Sequence, residues 1–280
     1  MNLDEYFKLL GLTKPEQPDL AFLHQYVARH MALFTFNNLA VLLREPMPLD
    51  TPSLLEKVVR RGAGGYCFEH NKIACEALTH LGYSTRIVVG RVLNNYVRPV
   101  PRTHRITLVD IAAESYLVDV GFGPACPVAP IAVNAQAPQQ AGQEYYQIKA
   151  LANHEYDLVL EKADGPFILY RFDLGQYSDA DCAVGHFYSH KHPDAVFVNN
   201  LVVSKKTAKE TVALTNHRLT HRTQSQELTT TIDSGTALFK VLTQTFALNI
   251  EQEICQFLFE RYIAPKLAGN ESSAGVVSGR

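Results

Sequence analysis

The chain has 280 residues, 46% of them hydrophobic and 19% charged, with a formal net charge of −2. That is the composition of an ordinary soluble globular protein long enough to bury a sizeable core, and it offers neither the basic surface of a nucleic-acid binder nor a polyacidic tail. Asp4 and Glu5 stand where a signal peptide carries positive charge, no apolar run approaches a membrane span, and the five cysteines form no CxxC pair, so a cytoplasmic protein off the membrane and without a disulfide framework is expected.

The first third reads as helix. Residues 19–33 place Leu20, Leu23, Val27 and Met31 on one stripe, and Thr51-Pro52 offers an N-cap and a first-turn proline for a helix carrying Leu54, Leu55, Val58 and Val59. Next comes RRGAGGYCFEHNKIACEALTHL, from Arg60 to Leu81. Gly62, Gly64 and Gly65 permit a sharp turn; then Phe68, Asn71, Ala74, Cys75, Leu78 and Leu81 recur at helical spacing until Gly82. Cys67 therefore opens a helix, where unpaired N–H groups and the positive dipole end favour a thiolate and its pKa is expected to fall.

After Gly82 the period changes to two. Arg86–Val92, Arg105–Ile111 and Tyr116–Val120 read as strands beginning a sheet or barrel. Residues 135–144 read as a surface loop, and Asp157–Glu161 with Phe167–Phe172 as a hairpin around Asp164-Gly165. Leu201–Lys205 reads as a strand, residues 236–246 and 251–264 as amphipathic helices, and 269–280 as a disordered or loosely held tail.

A thiolate nucleophile needs a base to take its proton, and the base needs an acceptor to orient it. In THRITLVDIAAESYLVDVGFG, a connection of even length centred on Ala112-Ala113 pairs Ile106 with Asp119 and His104 with Gly121. His104 and Asp119 then share a face, whereas an odd-length connection separates them. Two groups of metal-ligand residue types, His186, His190 and His192 in one and Cys67, His70 and Cys75 in the other, lack zinc-site spacing. No metal is expected.

RRGAGGYCFEHN, RTHRITLV, YLVDVGFG and SHKHPDAVFVNNLVVS resemble, in order, segments of the arylamine N-acetyltransferases. The resemblance implies an α+β fold: a helical bundle over 1–84 carrying the nucleophile, a β-barrel over 85–190 carrying the histidine and aspartate, and an α/β lid over 191–268. It implies a papain-like triad of Cys67, His104 and Asp119, with acetyl-CoA as acyl donor, an acetyl-cysteine thioester, and arylamines, arylhydrazines or N-hydroxyarylamines as acceptors in a ping-pong sequence. It also implies Phe36, Phe68, Phe122 and Phe197 as walls of the acceptor slot, and Gly121, Phe122 and Gly123 as the backbone that the acyl donor approaches. A hydrolase, a transglutaminase or an amide synthase would use the same triad, and a non-catalytic CoA-binding scaffold is a fourth reading. Two departures stand out. Asn37 replaces a glutamate that in the family commonly faces the arginine before the glycine turn, here Arg61, and Pro124, Ala125, Cys126 and Pro127 follow the GFG segment.

Overall fold

Apolar side chains at three- and four-residue spacing build the helices first. The computed structural model describes residues 2–268, so the tail expected over 269–280 lies outside the described residues. Helix α1 (Leu3–Leu10) is capped by the Asn2 side chain and α2 (Leu20–Leu33) by Asp19, which accepts from the Phe22 N–H at 2.7 Å. Strand β1 (Phe36–Asn37) and helix α3 (Leu39–Leu42) follow. Helix α4 (Thr51–Leu54) continues in π-type turns over Leu55–Arg60. Its N-cap is Asp50 and not Thr51: the Asp50 carboxylate accepts from the Ser53 N–H at 2.9 Å. Helix α5 (Cys67–His80) starts at the cysteine, as its spacing predicts, and the chain leaves it through Gly82 at φ 89°.

Strands β2 (Ser84–Val92), β3 (His104–Ile111), β4 (Glu114–Val118), β5 (Ile131–Ala132), β6 (Gln139–Ala141), β7 (Glu144–Ala150), β8 (Glu155–Lys162) and β9 (Gly165–Asp173) form one eight-stranded sheet in the order β5-β4-β3-β2-β9-β8-β7-β6. The sheet curls into a nearly closed barrel. Its two end strands meet where the Gln139 side-chain amide bonds the Ala132 N–H and carbonyl at 2.8 and 3.0 Å. Strand β6 thus lies inside the stretch that reads as a loop. Gln139-Gln140-Ala141 has no apolar alternation, and its pairing comes from β7 and from a side-chain amide.

The bundle and the barrel share a core. One cluster runs from Tyr6, Leu23, Val58 and Leu78 into Ile106, Leu117, Leu158 and Tyr170. Beyond the barrel come α6 (Asp179–Lys191), α7 (Val196–Asn199), β10 (Val202–Lys206), β11 (Glu210–Thr215), β12 (Arg218–Thr223), β13 (Glu227–Thr231), α8 (Gly235–Lys240) and α9 (Gln252–Leu258), the last continuing in π-type turns over Phe259–Ile263. Strands β10 to β13 make a second, antiparallel sheet whose edge is β1, with Phe36 opposite Ser204. Its core joins Leu201, Leu214, Leu238 and Leu258 to Leu39 and Leu42. A piece of the N-terminal third is therefore built into the C-terminal sheet.

Candidate active site

The glycine turn before Cys67 is shaped by close packing. Gly64 has φ 64°, and a Cβ there would collide with the Thr35 carbonyl oxygen and the Asn37 amide. Asn37 holds the turn itself: its Nδ2 donates to the Ala63 carbonyl at 2.9 Å, its Oδ1 accepts from the Leu39 N–H at 3.1 Å, and its own N–H donates to the Gly65 carbonyl at 2.7 Å. A carboxylate has no N–H to give Ala63, so the neutral residue supports the turn directly. Arg61, expected opposite Asn37, is exposed.

Glu69 clamps the helix start. Its Oε2 accepts from the Tyr66 N–H at 3.0 Å and its Oε1 from Lys57 Nζ at 2.6 Å, with Glu69 itself buried. An acid three residues after Tyr66 is the one local signal of this clamp in the sequence, being the spacing of a helix cap.

The β3–β4 hairpin has the even register. Thr107 faces Val118 and Ile111 faces Glu114 across an Ala112-Ala113 turn, with Ala112 at φ 54°. Ladder pairing ends at Thr107 and Val118, and just past it His104 Nε2 meets Asp119 Oδ2 at 2.7 Å, both side chains buried. Asp119 accepts three further hydrogen bonds: Tyr170 OH at 3.0 Å, Asn71 Nδ2 at 2.9 Å and the Gly121 N–H at 2.9 Å. Burial alone would raise its pKa, but the charge and hydrogen bond of His104, with the Asn71 and Gly121 donors, outweigh burial and hold the carboxyl below its ordinary value. Asn71 lies one helical turn beyond Cys67, a spacing the sequence shows, whereas Tyr170 comes from β9 and carries no local signal.

Cys67 Sγ lies 3.7 Å from the carbonyl of Thr103, the residue before His104. Across from it, a Cβ on Gly121 would stand 2.9 Å from Cys67 Cα, so only glycine lets the barrel rim rest on the first turn of α5. The thiol does not follow the helix-dipole expectation. Burial pushes its pKa up, the Asp119 charge adds to this, and the Phe68 and Cys67 N–H groups pull it only partway back.

Phe122 stands edge-on to the His104 ring at 5.0 Å and contacts Tyr170 at 5.0 Å. Phe36 meets Phe197 at 6.0 Å, and Phe197 meets Tyr66 at 5.5 Å. Phe122 and Phe197 are half-buried. Phe68 differs: it is fully buried among Tyr66, His186 and Gly185, behind the wall. Gly123 lies against Phe36, where a Cβ would stand 3.4 Å from the ring. Cys126 is a buried thiol that accepts from the Phe122 N–H at 3.4 Å and donates to the Asp119 carbonyl at 3.1 Å, so it shapes the segment after the aspartate.

The histidines of 186–192 are placed on and just after α6. His186 Nδ1 bonds Tyr66 OH and its Nε2 the Met47 carbonyl at 2.9 Å. Among the described residues no group of three or more His, Cys, Asp or Glu is placed to hold a metal ion, and no helix is long and apolar enough to cross a membrane. A concavity of about 850 Å³ opens between 153–156 and 173–177 and touches none of the residues above. Cys67, His104 and Asp119 lie elsewhere, at the start of α5 and at the rim of the barrel.

A family model described as N-acetyltransferase matches residues 19–255. The chain is 32% identical to the arylamine N-acetyltransferase of Mycolicibacterium smegmatis, over 89% of this chain and 93% of that protein. It is 30% identical to the arylamine N-acetyltransferase / N-hydroxyarylamine O-acetyltransferase of Salmonella typhimurium, over 89% of each. The solved structure of the Mycobacterium marinum arylamine N-acetyltransferase in complex with CoA superposes with a TM-score of 0.87 at 26% identity, covering 93% of this chain and 99% of that one. With its barrel, the cysteine that opens α5 and this extent of likeness, the chain belongs to the arylamine N-acetyltransferase family.

Proposed function

We propose that this protein transfers the acetyl group of acetyl-CoA to aromatic amines and hydrazines, through a thioester on Cys67. With N-hydroxyarylamines, the activity named for the Salmonella relative, the acceptor atom is the hydroxyl oxygen. The observation that carries the reading is the buried His104–Asp119 pair at 2.7 Å beside a cysteine that opens a helix.

His104 Nε2 is committed to Asp119, which leaves Nδ1 to take the Cys67 proton. The thiolate forms as the Cys67 proton moves to His104, and the imidazolium is stabilised by Asp119. The thiolate attacks the acetyl carbonyl, the bond to the CoA sulfur breaks, and His104 returns the proton to the departing CoA thiolate. The acceptor amine then attacks the Cys67 thioester, His104 takes a proton from the amine nitrogen, and it passes that proton to the leaving Cys67 sulfur. The Cys67 N–H at the helix start supplies one donor to the developing oxyanion. Phe36, Phe122 and Phe197 form the aromatic acceptor wall, with Phe68 behind it. The donor's chain passes along Gly121, Phe122 and Gly123, where Gly121 also lets Cys67 come close.

Initial rates measured against acetyl-CoA at several fixed concentrations of an aromatic amine test this. Parallel double-reciprocal lines are expected from a ping-pong sequence. Lines that converge, with both substrates needed before any product leaves, would overturn the thioester route.

A further inference from the structure

Behind the aromatic wall lies a second cleft, of about 540 Å³, lined by none of Cys67, His104, Asp119 and the wall phenylalanines. Arg44 enters it from the end of α3, His190 and Lys191 from the end of α6, and Arg261, Tyr262 and Lys266 from the C-terminal helical segment. No carboxylate lines it. Among the described residues Arg44, Lys191 and Arg261 form no ion pair, and Lys266 Nζ is held only by neutral acceptors: the Asn199 carbonyl at 2.6 Å, Asn200 Oδ1 at 2.6 Å and Asn216 Oδ1 at 3.1 Å. Gathered cations without a counter-ion repel one another, and in a chain of net charge −2 this grouping is local.

The backbone at Arg44 gives a second, independent observation. Arg44 has φ 57°, and it closes α3 by donating its N–H to the Val41 carbonyl at 3.1 Å while Glu45 bonds Ala40 at 2.9 Å. Glycine is the least strained residue at such a helix end. An arginine there keeps a strained backbone and places a guanidinium in the cleft.

We propose that this cleft binds phosphate groups, taking a small molecule that carries at least a diphosphate. The guanidinium forks of Arg44 and Arg261 match phosphate oxygens in pairs, and Lys191 and Lys266 add point charge. Helix α7 is the partition between the two sites: Phe197 packs on Phe36 and Tyr66, whereas Val198 and Asn199 line the cleft. The phosphates belong either to the nucleotide end of the acyl donor or to a separate phosphorylated metabolite, since both present the same chemistry.

The test is thermal unfolding of the full chain with inorganic pyrophosphate at low salt, for wild type, Arg44→Gly and Arg261→Gln. Arg44→Gly relieves the backbone, so the variant stays folded. Pyrophosphate is expected to raise the wild-type midpoint, and each substitution to weaken that binding about tenfold or more, as loss of a charge-assisted contact does. No shift in wild type, or an equal shift in all three proteins, overturns the proposal. KM values for acetyl-CoA and for S-acetylpantetheine, which lacks the nucleotide, then identify the source. This second arm rests on the acyl-transfer reading, whereas the unfolding arm does not. A rise in KM for acetyl-CoA alone assigns the cleft to the donor's nucleotide, and unchanged values with pyrophosphate binding lost assign it to a separate ligand.

Discussion

At the scale of single residues, the site depends on who holds the proton. Asp119, with four hydrogen-bond donors, is a fixed carboxylate, while Cys67 is a buried thiol pushed above its ordinary pKa. On the proposed mechanism, reactivity comes through His104 and not from the helix dipole alone. Iodoacetamide should alkylate Cys67 in wild type at neutral pH, and His104→Ala should slow this at least about a hundredfold, the usual scale of a lost general base. Equal rates in the two proteins would mean that the thiol ionises without His104.

At the scale of elements, the start of α5 and the β3–β4 hairpin do the positioning. Glu69 joins the helix start to Lys57 of the preceding helix, so Glu69→Ala strands the Tyr66 N–H and a lysine. Urea unfolding should show a loss of about 2 kcal/mol or more, and a midpoint unchanged from wild type would refute the clamp. These same elements were the most legible in the sequence. The glycine turn, the helical spacing after Cys67 and the even hairpin through Ala112-Ala113 are all local patterns, and the register they imply is the one that brings His104 to Asp119. Local patterns also explain what was missed. Strand β6 is polar and closed by a side-chain amide, β13 is exposed at every residue, and α6, with the sequence DADCAVGHFYSHK, has no clear apolar stripe. Tyr170 reaches Asp119 only through the order of the strands, and the pKa of Cys67 depends on burial, which no spacing reveals.

At the scale of the whole molecule, the three layers are tied together by buried polar groups. Lys206 of β10 bonds the Cys126 carbonyl at 2.6 Å and Tyr146 OH at 2.9 Å and pairs with Glu144, which also meets Arg222, so the second sheet is pinned to the barrel. In the bundle, Tyr6 OH meets His30 Nδ1 at 2.6 Å, His30 Nε2 meets His70 Nδ1 at 2.9 Å, and His70 Nε2 reaches the Thr35 carbonyl at 3.3 Å. Burial holds His30 well below its ordinary pKa and lowers His70 to about 4, and His186 is lowered by burial to about 4 as well. Their folded pKa values lie below the unfolded 6.5, so their contribution to stability is complete above pH 6.5 and is lost as pH falls toward about 4, where the unfolded chain binds more protons. The urea midpoint should therefore fall steadily through that window; a flat profile would show that these histidines titrate normally. The account as a whole stands on the thioester. Intact-mass measurement after brief mixing with acetyl-CoA alone, followed by peptide mapping, should find one acetyl group on Cys67, discharged by an aromatic amine; no adduct while Cys67 still alkylates, or an adduct on another residue, would contradict it.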